Sequence, residues 1–371
     1  MTKELAPYRA DHVGSLLRPA HLADARAKYF QKGEISAEEL AEIEDAAIAE
    51  VVVRQENVGL RAITDGEYRR SFWHYDFLGM LDGLDLVERD RGISFQGAEL
   101  RPVFPVINEK LGFPDEHPML DHFRFVADRA NEQPKISIPG PSCCHFRVAP
   151  EDIGPEEYKD LDALFLDIAE TYRKAVLAFY EAGCRYLQMD DIFFAYLCDS
   201  RHRREREEIG QDPDWLIDRY AWMMRESIKD RPDDMVVGMH MCRGNFKSTY
   251  AAEGSYDPVA DAVFNKTGID IFFMEYDTER AGGLEPLSLL AKGKQRVMLG
   301  FVTTKTGELE KADNLKRMVD DASSFVDIDQ LGIAPQCGFA STEEGNSLSD
   351  YEQWRKLELV VSVAESLWGG V

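Results

Sequence analysis

Short apolar runs that end in polar residues recur along this chain, and segments with helical spacing lie between most of them. The runs are DHVGS near residue 12, AITDGE at 62–67, KISIPGPS at 135–142, CRYLQMDD at 184–191, MVVGMHMC at 235–242, DIFFMEY at 270–276, RVMLGFV at 296–302 and LGIAPQCG at 331–338. Between them, LDALFLDIAETYRKAVLAFYEAG repeats its apolar residues at a helical period. DPDWLIDRYAWMMRESIKD opens with Asp212-Pro213, a side-chain cap followed by a proline in the first turn. Eight strands alternating with helices predict an α/β chain of the (β/α)8, or TIM barrel, type. The 371 residues fit one such domain over 1–371. The stretch 72–134 fits least well, being long, aromatic and irregular, and it reads as an insertion after the second strand, with a β-hairpin as its simplest form.

Charge and cysteine usage narrow the function. The 68 acidic against 43 basic residues leave a formal charge of −25, which repels phosphate backbones and anionic lipid surfaces, so neither nucleic acid nor membrane is expected as a partner. No apolar run approaches the roughly 18 residues that span a bilayer, and the first residues lack the apolar centre of a leader, so a cytoplasmic location is expected. Six cysteines in a chain this long make no disulfide framework and are free for metal or catalysis. A homo-oligomer is compatible with all of this.

Barrel enzymes build their sites at the C-terminal ends of the strands, where this sequence places its polar residues. In His240-Met241-Cys242, residues i and i+2 of an extended strand point the same way, so an imidazole and a thiol converge. Alone the pair is weak, because buried cysteines and hydrogen-bonded histidines are ordinary core residues. Glu275 closing the sixth run and Cys337 closing the eighth add a carboxylate and a second thiol at the same rim. His240, Cys242, Glu275 and Cys337 make a nitrogen, sulfur and oxygen set suited to Zn2+. Ligands so far apart in sequence speak against a closed structural zinc, and a site with two thiolates can take up an external thiol and hold it as a nucleophile. Glu67 and Asp190, each at a strand end, are candidates for an ammonium group, although either could simply cap a helix. His12-Val13-Gly14-Ser15 offers close backbone approach and a hydroxyl for a carboxylate, with Ser15 and His12 as the substrate-binding candidates. Zinc with cation and anion partners matches an amino-acid thiol such as homocysteine.

Taken in order, HVGSLLRP at 12–19, TDGEYRR at 64–70, LQMDD at 187–191, HMCRGNF at 240–246, MEYD at 274–277 and PQCGFASTEEGN at 335–346 resemble the cobalamin-independent methionine synthases, specifically their catalytic C-terminal barrel and its short stand-alone relatives. The resemblance runs across nearly the whole chain. It implies zinc held by His240, Cys242, Glu275 and Cys337 that activates homocysteine sulfur toward a methyl donor, with Ser15, Glu67 and Asp190 binding the amino acid. Two departures bear on the donor. The long synthases resemble a tandem of two barrels, and where they carry a pterin-stacking tryptophan after the third strand this chain reads PGPSCCHF at 139–146. Where they carry a histidine after the seventh strand it reads TTKT at 303–306, so Lys305 or His145 delivers the proton, or the donor needs none. Methyl-folate and methylcobalamin-type donors both stay open. The alternative is an alkyltransferase acting on a sulfonate thiol such as coenzyme M with an epoxide or alkyl donor. That substrate calls for cationic side chains in place of Glu67 and Asp190, and Arg18, Arg69 and Arg70 are near enough in sequence to supply them. Cys143, Cys144, Cys184 and Cys198 read as inert.

Overall fold

The computed structural model describes residues 8–90, 94–95, 98–99, 101–293 and 295–371. The strands are β1 (Ala62–Ile63), β2 (Asp82–Glu88), β3 (Ser94–Phe95), β4 (Ala98–Glu99), β5 (Val103–Gly112), β6 (Gln133–Pro134), β7 (Ile136–Pro139), β8 (Tyr186–Asp190), β9 (Val236–Met241), β10 (Ile271–Glu275), β11 (Arg296–Val302) and β12 (Leu331–Pro335). Six of them form one parallel sheet in the order β12-β11-β10-β9-β8-β7. Sequential strands lying side by side with helices between them are the βαβ pattern the sequence predicted.

Both ends of this sheet are extended by shorter parallel contacts. At one end Ala10 bridges Ile333 of β12; at the other β6, which runs into β7, pairs with β1. Leu16 N–H in turn donates to Gly66 O at 3.0 Å. The first and second expected strands are thus present as one bridge and a two-residue strand, and the backbone shows why. Gly14, Gly66 and Glu67 have φ of +138°, +66° and +60°, values that break a strand and turn the chain at the rim.

The excursion between β1 and β6 contains an antiparallel pair, β2 with β5, then the helix Pro118–Ala127. Residues 91–93, 96–97 and 100, part of the irregular middle of 72–134, lie outside the described residues, as do 1–7.

Alternation along the strands sorts side chains between two faces. Tyr186, Val236, Ile271, Phe273, Met298 and Ala334 pack in one inner cluster, and their neighbours in sequence pack outward under the helices. Lys135 closes this inner cluster. Its ammonium donates to Asp11 Oδ1 at 3.0 Å and His12 O at 2.6 Å and lies over the rings of Tyr186 and Phe273. The helices Leu161–Glu181 and Pro213–Ile228 cover the outer face, each capped by an aspartate: Asp160 accepts from Asp162 N, and Asp212 from Asp214 N and Trp215 N. Among the described residues no helix is long and apolar enough to cross a membrane.

Candidate active site

Continuing the inner-face register by two residues at a time carries it to the site. Tyr186 and Gln188 lead to Asp190 on β8, Val236 and Gly238 lead to His240 on β9, and Ile271 and Phe273 lead to Glu275 on β10. Asp190 and His240 are register partners. At the strand ends a cavity of about 560 Å³ including its mouth is lined by Ser15, Glu67, Asp190, His240, Cys242 and Cys337 among others. Six of the sequence-predicted residues therefore share one pocket.

The ligand atoms of His240, Cys242 and Cys337 lie within 4.8 Å of one another, all three side chains buried. Among the described residues the buried His240 ring has no oxygen or nitrogen hydrogen-bond partner and interacts with the Cys242 sulfur, an expensive arrangement unless something else binds there. The Cys337 thiol leans on the Cys242 sulfur and, with His240 beside it, holds Cys242 well below the ordinary thiol range despite burial, while Cys337 is pushed up. One imidazole and two sulfurs, with Cys242 the thiol whose anionic form the site favours, form a donor set that fits a zinc ion.

Glu275 stands outside this trio. Its Oε2 accepts from Arg243 N–H at 2.8 Å and its Oε1 is taken by the Arg280 guanidinium. Burial works to raise its pKa, but Lys305, Arg280 and Arg243 outweigh burial and keep the carboxyl ionised.

Glu67 and Asp190 face the pocket with different supports. Glu67 Oε1 accepts from Ser137 Oγ–H at 2.8 Å and lies 3.6 Å from Arg70; Asp190 Oδ1 accepts from Gln188 Nε2–H at 2.7 Å. Burial pushes Glu67 up to about 7, with Asp190 adding to the rise, and pushes Asp190 up to about 6. Two buried carboxyls with poor ionisation make a waiting place for a cation.

Several expected roles are not supported by position. His12 points away from the pocket, its Nε2 3.2 Å from Ala62 O, and burial lowers its pKa to about 4. His145 is tied to Tyr220 OH at 2.7 Å and Gln211, and the Lys305 ammonium is enclosed behind the site without a hydrogen bond; neither lines the pocket. Arg18 is spent on the carbonyls of Glu67, Arg70 and Thr342, Arg69 on Glu44 and Asp45, and Arg70 on the carbonyls of Ser137 and Trp73. Cys143, Cys144 and Cys184 are buried, with pKa values raised by burial.

Other pocket residues went unnoticed in the sequence. Arg147, Tyr196, Asn245 and Phe246 line it together with Trp73. Arg147 lies over the rings of Phe193 and Tyr196 and has no carboxylate partner among the described residues. Asn245 and Phe246 follow Cys242 within the HMCRGNF run and could have been found there. Nothing in the local pattern singled out Arg147 or Tyr196.

The parallel α/β fold thus sets a buried imidazole and two thiols beside a pair of buried carboxyls. The profile of the family described as cobalamin-independent synthase, catalytic domain, matches residues 10–365. The uncharacterized protein YxjH of Bacillus subtilis is 42% identical, over 98% of this chain and 95% of its own length. A solved structure from Listeria monocytogenes, named as a vitamin-B12-independent methionine synthase, is 39% identical with a TM-score of 0.78 over 98% of this chain and 99% of that one. A B12-independent methionine synthase from Shewanella, solved in complex with selenomethionine, shares the fold at 21% identity and a TM-score of 0.74, covering 98% of each chain. The chain belongs to the cobalamin-independent methionine synthase family, whose longer members include enzymes named 5-methyltetrahydropteroyltriglutamate–homocysteine methyltransferase.

Proposed function

We propose that this protein methylates the thiol of homocysteine to give methionine, in a zinc-dependent reaction at the strand ends of a closed (β/α)8 barrel. The observation that carries the reading is the convergence of His240, Cys242 and Cys337 with Glu67 and Asp190 on one pocket. The Ala10–Ile333 bridge and the Leu16–Gly66 hydrogen bond are the contacts that support closure.

In this reading His240, Cys242 and Cys337 hold the metal, with Glu275 as the oxygen ligand it can release. Bound zinc would keep the substrate sulfur as a thiolate at neutral pH. Glu67 and Asp190 bind the ammonium group, and Ser15, whose Oγ already accepts from Ala340 N–H, lies where the carboxylate would sit. Holding both ends of the amino acid fixes the sulfur against the donor and converts an encounter into an oriented one. Lys305 and His145, set back from the pocket, take no part in donor protonation here. The Shewanella relative's selenomethionine is of the product class this reading requires.

A second reading is favoured by Arg147, a pocket cation without a carboxylate partner among the described residues: a sulfonate thiol would satisfy it. One experiment separates the two. Zinc X-ray absorption counts sulfur neighbours before and after homocysteine or 2-mercaptoethanesulfonate, and methyl transfer is then assayed with methyl-tetrahydrofolate and with methylcobalamin. A rise from two sulfurs to three with homocysteine, followed by methionine formation, supports the first reading; a rise with the sulfonate alone supports the second; no rise with zinc present removes both.

A further inference from the structure

Behind the sulfur group lies a set of buried charges that the reaction as described does not use. Arg280 pairs with Glu275 and also lies 3.6 Å from Asp277 Oδ1; the Glu275 and Asp277 side chains are fully enclosed and Arg280 nearly so. Asp277 has the Thr303 side chain as a further partner, whereas Arg280 Nη1 and Lys305 Nζ donate no hydrogen bond among the described residues. Lys305 acts electrostatically on Glu275, Asp277 and Cys337 together. Unsatisfied buried charges of this kind call for a second arrangement in which they are satisfied.

We infer that Arg280 is a positioning residue that Glu275 and Asp277 share in alternation, so that Glu275 can leave it for the metal and return to it when the substrate thiol arrives. This rests on the zinc reading above. In the arrangement observed, Glu275 is held by Arg280 and by Arg243 N–H, and Asp277 stands at the longer distance of 3.6 Å from the same guanidinium. When Glu275 turns toward His240, Cys242 and Cys337, Arg280 swings its hydrogen bonds to Asp277, so the guanidinium never loses a carboxylate. A thiol bound at the metal as thiolate, its proton released to solvent, would free Glu275 from a ligand role, and Arg280 would be there to receive the carboxylate.

Opposed variants test this. Zinc affinity of the full-length protein is measured by competition with a chromophoric chelator, alongside thermal melting. Asp277→Asn, nearly isosteric, removes the place Arg280 goes when Glu275 ligates, and should loosen zinc about tenfold. Arg280→Met removes the competitor for Glu275 and should tighten zinc by a similar factor while lowering the melting temperature. In a Glu275→Gln background the Asp277→Asn effect should vanish. A merely structural role would move both single variants the same way and would persist without Glu275, and either result overturns the inference while leaving the zinc reading intact. A wild-type protein that binds no zinc, or binds it equally well as Cys337→Ala, overturns both.

Discussion

Binding of the product amino acid should be governed by the ionisation of Glu67. Moving a buried carboxyl from 4.5 to about 7, as burial does to Glu67, disfavours its ionised form by roughly 3 kcal/mol. The ammonium group of methionine reverses that, because it favours the charged carboxylate it meets. At pH 6 about nine-tenths of the free protein would carry a proton on Glu67, and this must leave on binding, so the dissociation constant should rise about tenfold from pH 8 to pH 6. Asp190, pushed up to about 6, should bring the total to roughly twentyfold. Isothermal titration with methionine, in two buffers of different ionisation enthalpy, reads both affinity and protons released; about 1.4 protons should leave near pH 6, roughly 0.9 from Glu67 and 0.5 from Asp190. Glu67→Gln should weaken binding by about 2 kcal/mol or more and flatten the profile above pH 6.5. The sign reverses for the protein alone. Because the folded pKa is raised, this carboxyl favours folding most below about pH 4.5 and the contribution is lost as pH rises through about 7, so the ligand-free protein should melt lower at pH 8 than this group alone would allow at pH 5. A pH-independent affinity, or a Glu67→Gln protein with the wild-type profile, would refute the ammonium assignment.

Other outcomes are equally concrete. Cys337→Ala and His240→Ala should each abolish methyl transfer and most zinc binding yet retain the wild-type circular dichroism spectrum, since the trio sits at the strand ends; global unfolding would contradict its placement. Lys135→Met should cost about 3–5 kcal/mol in denaturant unfolding, because it removes the cation facing the buried Asp11 carboxyl and leaves it only the neutral donors Tyr186 O–H and His12 N–H; a loss under 1 kcal/mol would show that those two donors suffice. Gly14→Ala should lose roughly 1–3 kcal/mol at φ +138° and weaken methionine binding, since the new methyl would lie 3.2 Å from Ser137 Oγ and 3.5 Å from Glu67 Oε1; unchanged binding would place Glu67 outside the amino-acid site.

Periodicity made the parallel strands legible. From β7 to β12 each apolar run became a strand close to its expected limits, because a strand buried on both faces carries its signal in every residue. The runs at 12 and 62 carried the same signal but needed positive φ at Gly14, Gly66 and Glu67 to aim the rim, and a non-glycine at φ +60° leaves no mark in sequence. The i, i+2 rule placed His240 and Cys242 together, and strand ends brought Cys337 and Asp190 to them. It could not show that Glu275 would be held by Arg280, five residues on, because which of two nearby cations or donors wins a carboxylate depends on side-chain packing. His12 differs from Ser15 for a related reason: in this extended segment Val13 and Ser15 line the pocket, whereas the His12 ring meets a neighbouring carbonyl. Arg147 escaped notice because its place is fixed by stacking on Phe193 and Tyr196, contacts between segments with no shared pattern.

The bridge between Ala10 and Ile333 makes the earliest described segment depend on nearly the latest. During translation His240 and Cys242 leave the ribosome well before Cys337, and so for much of its synthesis the nascent chain has two thirds of the trio and one unpaired margin of the sheet. A chain terminated early would lack both the last thiol and the partner of Ala10. If the trio holds zinc as proposed, metal acquisition would be deferred until the final strand docks, and zinc occupancy would report that the segments carrying all three ligands had come together.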